Sequence, residues 1–427
     1  MNGKDLDWLL ELMAIPTVSP LEGGDLSGFV TAQQSFIEGA LARGWQVRRH
    51  DHPPLADVLR ADLPQQVRAV ATAELLAAQP SVVVGFGGPQ PVARRIVLNF
   101  HMDTVGPHVP PRLDGEVLRG RGAVDDKGPG VAALAGITAA FDRAPWLAEH
   151  IEVQVASVPG EEGGAMGVYG TRWLVESGCV GRLMLFAEPT GGRVFDACSA
   201  AMTPMLSVHG EDSTDDHPAR GHNATVALGF LACRLAEELG PLAEKLGAKV
   251  CVAGVHSGTE HNRVYGSGEL RLNIAYYDEQ SATALAAEVQ RVADNAGEEF
   301  AARFRDNPVT CRLLADWSTT VRLTWLKRGL PALANRDPEM EALLGTAGFP
   351  RHDAIADGSA FTCDAIWAPA PGRYVAACGP GDLDANGAHT PDEHVALGEL
   401  SRYADHCRDL VLAFGAHVRN TELEGTT

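Results

Sequence analysis

Three apolar runs in this chain stop at charged residues, and that pattern restricts the fold more than any other feature. "RRIVLNFHMD" (94–103) runs into His101 and Asp103. "EVQVASV" (152–158) runs into Pro-Gly-Glu-Glu, and "RLMLFAEP" (182–189) into Glu188 and Pro189. Short runs that are apolar on both faces read as strands covered on both sides. Helical patterns separate them, at 131–144 after a Gly-Pro-Gly turn and at 170–177. Strands alternating with helices predict an α/β domain with a mostly parallel sheet.

Near residue 200 the order changes. A strand pattern at 203–210 precedes a helix at 223–240. Strands follow at 249–258 and 268–277, then a long amphipathic helix at 281–304 and a strand at 309–317. That β-α-β-β-α-β order is the split-βαβ, ferredoxin-like arrangement. It predicts a second domain inserted into the first, with catalytic-domain parts at 1–199 and 329–427 and an inserted lid at 200–328. After the lid come a helix near 337–345, a strand at 374–379 and a closing helix at 396–415. Residues 52–92, rich in Pro, Ala and Gln, carry no pattern that orders them.

A length of 427 residues fits two domains. The 35 Lys+Arg against 55 Asp+Glu leave a formal charge of −20, which argues against nucleic acid and anionic membrane as partners. No apolar run reaches the roughly 18 residues of a bilayer span. The opening "MNGKDLDWLLELMAIPTVSP" lacks the basic and apolar regions of a secretory leader. The eight cysteines are scattered, without C-x-x-C. They read as reduced core residues, Cys233 and Cys251 among them, in a cytoplasmic protein.

Five stretches set His or carboxylate residues at the ends of predicted sheet strands. These are "FHMDTVG" (100–106), "GRGAVDDKG" (120–128), "PGEEGG" (159–164), "FAEPTGG" (186–192) and "GAHTPDEH" (387–394). In an open α/β sheet the carboxyl ends of the strands line one crevice. His101, Asp125, Glu162, Glu188 and His389 therefore converge as two imidazoles and three carboxylates. That donor set suits Zn²⁺ and tolerates Mn²⁺ or Co²⁺. Two ions bridged by one carboxylate use all five ligands. Each stretch alone has a bland reading: Asp125-Asp126 as a helix cap, His389 as a loop histidine, Glu161-Glu162 as solvated turn residues. Their joint occurrence beside Gly or Pro favours a site.

In order along the whole chain, these stretches resemble the dizinc peptidases and deacylases. That family includes acetylornithine deacetylase, succinyl-diaminopimelate desuccinylase, aminoacylase and glutamate carboxypeptidase. The opening "LLELMAIPTVSP" and the closing "CGPGDLDANGAHTPDEHV" belong to the same likeness. The resemblance implies a catalytic domain with an inserted lid that also dimerises. It implies His101 and Glu188 on one Zn²⁺, Glu162 and His389 on the other, and Asp125 bridging both. Asp103 would orient His101 by accepting its other ring proton. Glu161 would be the general base. The substrate class implied is a small N-acyl amino acid or peptide-like amide.

Departures cluster where such enzymes set specificity. The family usually has Asp where Gly160 stands. A lid histidine expected in Ala-His-Ser-Ser aligns with Thr214; His217 is the preferred substitute, with His222 and His209 also near. Ala275 stands where many relatives carry a carboxylate-binding Arg; Arg263, after Asn262, is a candidate replacement. "DGSAFTCDA" (357–365) departs from the family's Gly-Thr-Asp pattern. Three readings therefore stand: a deacylase, a dipeptidase or carboxypeptidase of the same family, and a non-catalytic binding protein. Retention of all five ligands and Glu161 favours an enzyme.

Overall fold

A computed structural model describes residues 1–424. It divides into two compact units. One comprises residues 1–60, 66–198 and, among the described residues, 333–424; the other comprises 61–65 and 199–332.

Chain order gives strands β1 (Gln46–Asp51), β2 (Ser81–Phe86), β3 (Arg95–His101), β4 (Glu152–Val158) and β5 (Leu183–Pro189) in the first unit. The second unit holds β6 (Ala200–His209), β7 (Lys249–Ser257), β8 (Ser267–Tyr276) and β9 (Val321–Lys327). The first unit then resumes with β10 (Tyr374–Gly379).

In the first unit the sheet has eight strands, ordered β1-β2-β4-β3-β5-β10 and finished by the short strands Val194–Phe195 and Arg351–His352. Its centre, β4-β3-β5-β10, is parallel. Residues of β3, β4, β5 and β10 are almost all buried, which accounts for their uninterrupted apolar character. The parallel register levels the carboxyl ends: His101 lies opposite Val158, and Pro189 opposite Gly379. Helices Lys127–Arg143 and Leu397–Glu424 pack closely, because a Cβ at Gly136 would collide with the carbonyl of Ala404.

Helix Lys127–Arg143 starts earlier than the pattern predicts, with Gly128-Pro129-Gly130 inside its first turn. First-turn N–H groups lack helical acceptors, so proline is tolerated there. The two glycines are needed for approach, since a Cβ on Gly128 would meet the carbonyl of Ala123 and one on Gly130 the ring of Phe100. The stretch without a pattern, 52–92, holds short helices and the edge-side strand β2.

The second unit is a four-stranded antiparallel sheet in the order β7-β8-β6-β9. Two long helices, Ala224–Leu246 and Glu279–Phe304, cover it. Leu270, Leu272 and Ile274 of β8 are fully buried while Arg271 and Asn273 between them are exposed, the alternation of a sheet covered on one face. The strand expected at 309–317 is instead helical: Cys311–Ala315 and Trp317–Thr320 are short helices, and the fourth strand is β9. Leu313 is buried and Trp317 packs on Phe300, ring centroids 4.9 Å apart, so tertiary contact overrides the strand-like composition.

Cys233 and Cys251 are exposed, not core residues; Cys251 lies on β7, the sheet edge, most of whose residues are exposed. No helix among the described residues is long and apolar enough to cross a membrane.

Candidate metal centre

The candidate ligands come from strand ends, a helix start and loops of the first unit. His101 is the last residue of β3 and Glu188 the penultimate residue of β5. Asp125 lies two residues before helix Lys127–Arg143. Glu161 and Glu162 follow β4 through Pro159 and Gly160, whose φ of +74° favours glycine. A Cβ at Gly160 would also collide with the ring of Tyr169. His389 sits in a loop tied back by a small sheet in which His394 pairs with Arg119.

Asp125 is the hub. One of its carboxylate oxygens is 2.8 Å from Nε2 of His101, and the other is 3.0 Å from Nε2 of His389. The same nitrogen of His389 is 3.2 Å from Oε1 of Glu162. Ligand atoms of His101, Asp125 and Glu188 lie within 4.8 Å of one another, and so do those of Asp125, Glu162 and His389. Two triads thus share one carboxylate. A third grouping, His101 with Glu161 and Glu162, meets the same distance.

The electrostatics of this cluster call for positive charge. Burial first, and then the charge of Glu162, push the Glu161 carboxyl well above its ordinary range; burial and the charge of Glu161 do the same to Glu188. Burial also opposes ionisation of Asp125, but hydrogen bonds from His101 and His389 outweigh it and hold its carboxyl well below the usual range. The Asp125 hydrogen bond raises His389 to about 10. Buried carboxylates this close, with imidazole nitrogens between them, fit divalent cations by both donor type and charge.

Asp103 is buried here, but its two halves act separately. Its backbone carbonyl accepts the Nδ1 hydrogen bond of His101 at 2.8 Å, while its carboxylate is 3.9 Å from that nitrogen. The carboxylate accepts the backbone N–H groups of Glu161 and Glu162 at 3.3 and 3.1 Å. It therefore holds the turn that carries both glutamates. Burial lifts it to about 6.

Three supporting groups escape sequence reading. The buried Glu393 accepts from the Arg121 guanidinium and from the N–H groups of Gly122 (2.9 Å), Val124 (3.2 Å) and Asp125 (3.3 Å). It fixes the backbone at Asp125; its only sequence signal is its position four residues after His389. Lys127, also buried, donates to the carbonyls of Leu12 (3.3 Å) and Ile15 (3.0 Å), and burial lowers it to about 7. Asp364 is the third.

In the second unit the expected substrate residues have local partners. His217 is exposed, its carbonyl accepting from the Ser213 hydroxyl at 2.7 Å. Asn262 is exposed, and Arg263 pairs with the Asp212 carboxylate beside the ring of Tyr265. His222 is buried, with Nδ1 accepting from the N–H of Glu211 and Nε2 3.0 Å from Asp316.

Comparison with known proteins identifies the family. A provisionally named LysW-lysine/LysW-ornithine hydrolase of Aeropyrum pernix is 26% identical over 305 residues, covering 71% of this chain and 76% of its own. A LysW-lysine/LysW-ornithine hydrolase of Sulfurisphaera tokodaii is 37% identical over 101 residues, 22% of this chain and 25% of its own. A tripeptidase from Staphylococcus aureus superposes with a TM-score of 0.67 at 15% identity, over 96% of this chain and 98% of its own. A family M20 metallo-carboxypeptidase from Sulfolobus solfataricus gives 0.66 at 12%, over 97% and 100%. The profile of peptidase family M20/M25/M40 matches residues 97–413. The chain belongs to that family, whose members are metal-dependent hydrolases of amide bonds.

Proposed function

We propose that this protein hydrolyses the amide bond of an N-acyl amino acid or a small peptide-like substrate, using two Zn²⁺ ions per subunit. The observation that carries the reading is Asp125 placed between His101 and His389, one oxygen toward each, with Glu161 adjoining Glu162. His101, Glu188 and Asp125 would hold one ion; Glu162, His389 and Asp125 would hold the other. Bound divalent ions supply Lewis-acid polarisation of a carbonyl and acidify water, and Co²⁺ or Mn²⁺ can substitute for zinc in that chemistry.

The chain's own residues do the rest. The carbonyl of Asp103 fixes the ring of His101. The carboxylate of Asp103 holds the Glu161-Glu162 turn. Glu161, partly exposed beside Glu162, removes a proton from the water attacking the amide carbon and delivers it to the departing amine. Its neighbour stays on the ligand side of the turn.

On the lid, His217, Asn262 and Arg263 are the proposed substrate contacts. Ala275, where an arginine would clamp a carboxylate, favours a substrate whose carboxylate is bound elsewhere. A homodimer through the lid is supported by β7, an edge strand with exposed Val252 and Val255. Light scattering should give a dimer, and Val252→Lys with Val255→Lys should give a monomer.

The test of the function is a panel of N-acetyl, N-succinyl and N-formyl amino acids and dipeptides, assayed on metal-analysed protein. Turnover of one class at two ions per subunit is expected. A protein that binds metal and hydrolyses no amide would end the enzymatic reading.

A further inference from the structure

The turn that carries Glu161 is closed by hydrogen bonds from Gly167 N–H to the Gly160 carbonyl (2.6 Å) and from Met166 N–H to the Glu161 carbonyl (3.2 Å). Closure at Gly167 uses a φ of +63°. Asp103 secures the other side. What packs against Gly167 comes from far along the chain. Asp364 is buried, and a Cβ on Gly167 would collide with both oxygens of its carboxylate. One of those oxygens accepts the hydroxyl of Thr171 at 2.6 Å. The Thr171 oxygen in turn accepts from Nδ2 of Asn99 at 3.0 Å. Asn99 precedes His101 by two residues on β3, so the two share a strand face. Beside Asp364, the indole of Trp367 donates to the Met166 carbonyl at 2.5 Å.

We infer that Asp364 and Thr171 are positioning residues: the Asn99–Thr171–Asp364 chain locks the Glu161-Glu162 turn to the strand that carries His101. This rests on reading Glu161 as the general base. The arrangement is expensive for a fold to keep without use. Asp364 is 1% exposed, its second oxygen has no hydrogen-bond partner, and burial lifts its carboxyl to about 7. A solvated turn would need none of this. A general base must meet its proton within a few tenths of an ångström, and a loosened turn loses that without losing the ligands on neighbouring segments. The segment 357–365, which departs from the family pattern, thus has as its penultimate residue one that serves the turn.

Thr171→Val keeps the volume and removes the hydroxyl; Thr171→Ser keeps the hydroxyl. Thr171→Val should lower kcat on the order of tenfold to a hundredfold with KM and metal content unchanged. Thr171→Ser should stay near wild type. Asp364→Asn, which still accepts, should keep more activity than Asp364→Ala. Thr171→Val with Asp364→Ala should fall no further than the worse single variant. Amide hydrogen exchange over residues 160–167 should quicken in Thr171→Val and stay unchanged in strand 95–101. If Asp364→Ala does not fold, Thr171→Val and the exchange measurement carry the test alone. Normal kcat and normal exchange in Thr171→Val would overturn the inference; so would a loss traced to KM or to metal. Glu161→Gln run in parallel separates the two readings: if it is fully active, the base assignment fails, whereas an inactive Glu161→Gln beside a normal Thr171→Val fails the positioning role alone.

Discussion

His101, Asp125 and Glu188 are 2%, 4% and 6% exposed, whereas His217, Asn262 and Arg263 stand in solvent in or beside turns of the inserted unit. The first set is anchored by sheet ends and held by partners from across its unit: Glu393 reaches back over more than two hundred residues to fix Asp125. In the second set, Arg263 pairs with Asp212 and the His217 carbonyl accepts from Ser213, both on the surface. Burial removes water as a competitor, so a buried polar group must be satisfied by protein or ligand. An exposed one need not be. The metal centre is thus specified by many mutually dependent contacts, and the lid surface by few.

The sharpest break between the regions comes from metal removal. Dialysis against a chelator should abolish turnover, and Zn²⁺ or Co²⁺ should restore it. His101→Ala and His389→Ala should each lower metal content and rate together, measured by elemental analysis and kinetics. Full activity in a metal-free sample would remove the basis for treating these residues as a metal centre.

Within the candidate metal centre, the adjacent glutamates should separate. Glu161→Gln keeps the shape and cannot accept a proton, so kcat should fall on the order of 10² to 10⁴-fold with metal content and KM nearly unchanged. Glu162→Gln should lose metal affinity and regain part of its activity at high Zn²⁺. A reversed outcome would exchange their roles.

These two regions also differ in what their sequence discloses. His101, Glu162 and Glu188 could be found because a buried strand must end, and a charged residue at that end beside Gly or Pro has few other uses. Asp125 and His389 required the five stretches to be read together. The contribution of Asp103 was visible as a residue and not as geometry: whether its carbonyl or its carboxylate faces His101 depends on the rotamer and on the turn after β4. Glu393 and Asp364 act through contacts 268 to 272 and 193 residues away, beyond any local pattern. The strand expected at 309–317 failed because a short apolar run carries no period that separates strand from helix, and packing of Leu313 and Trp317 decided it.

Glu393→Gln probes the frame beneath the ligands. It leaves the buried Arg121 without its counter-charge, and breaking such a pair costs about 3–5 kcal/mol. Denaturant unfolding of the first unit should register that loss, and metal affinity should fall less, because the amide oxygen of glutamine can still accept the N–H of Asp125. Unchanged stability would mean that Arg121 finds another partner.

The smallest effect is expected on the lid. Arg263 is about half exposed and already paired with Asp212. For it to bind a substrate carboxylate it must give up that partner, so its net contribution is a difference between two similar contacts. Exposed pairs of this kind are worth at most about 1 kcal/mol, which corresponds to roughly a fivefold change in affinity. Arg263→Ala should therefore raise KM by no more than that for a carboxylate-bearing substrate, leave kcat unchanged, and have less effect at high salt, where the wild-type contact is itself screened. Asp212→Ala supplies the opposite arm: freeing Arg263 should lower KM for the same substrate. If both variants keep the wild-type KM across salt concentrations, Arg263 is a surface ion pair and nothing more. If Arg263→Ala instead costs a hundredfold, the guanidinium is desolvated in the complex, and the contrast between a tightly specified catalytic unit and a loosely specified lid no longer holds at this residue.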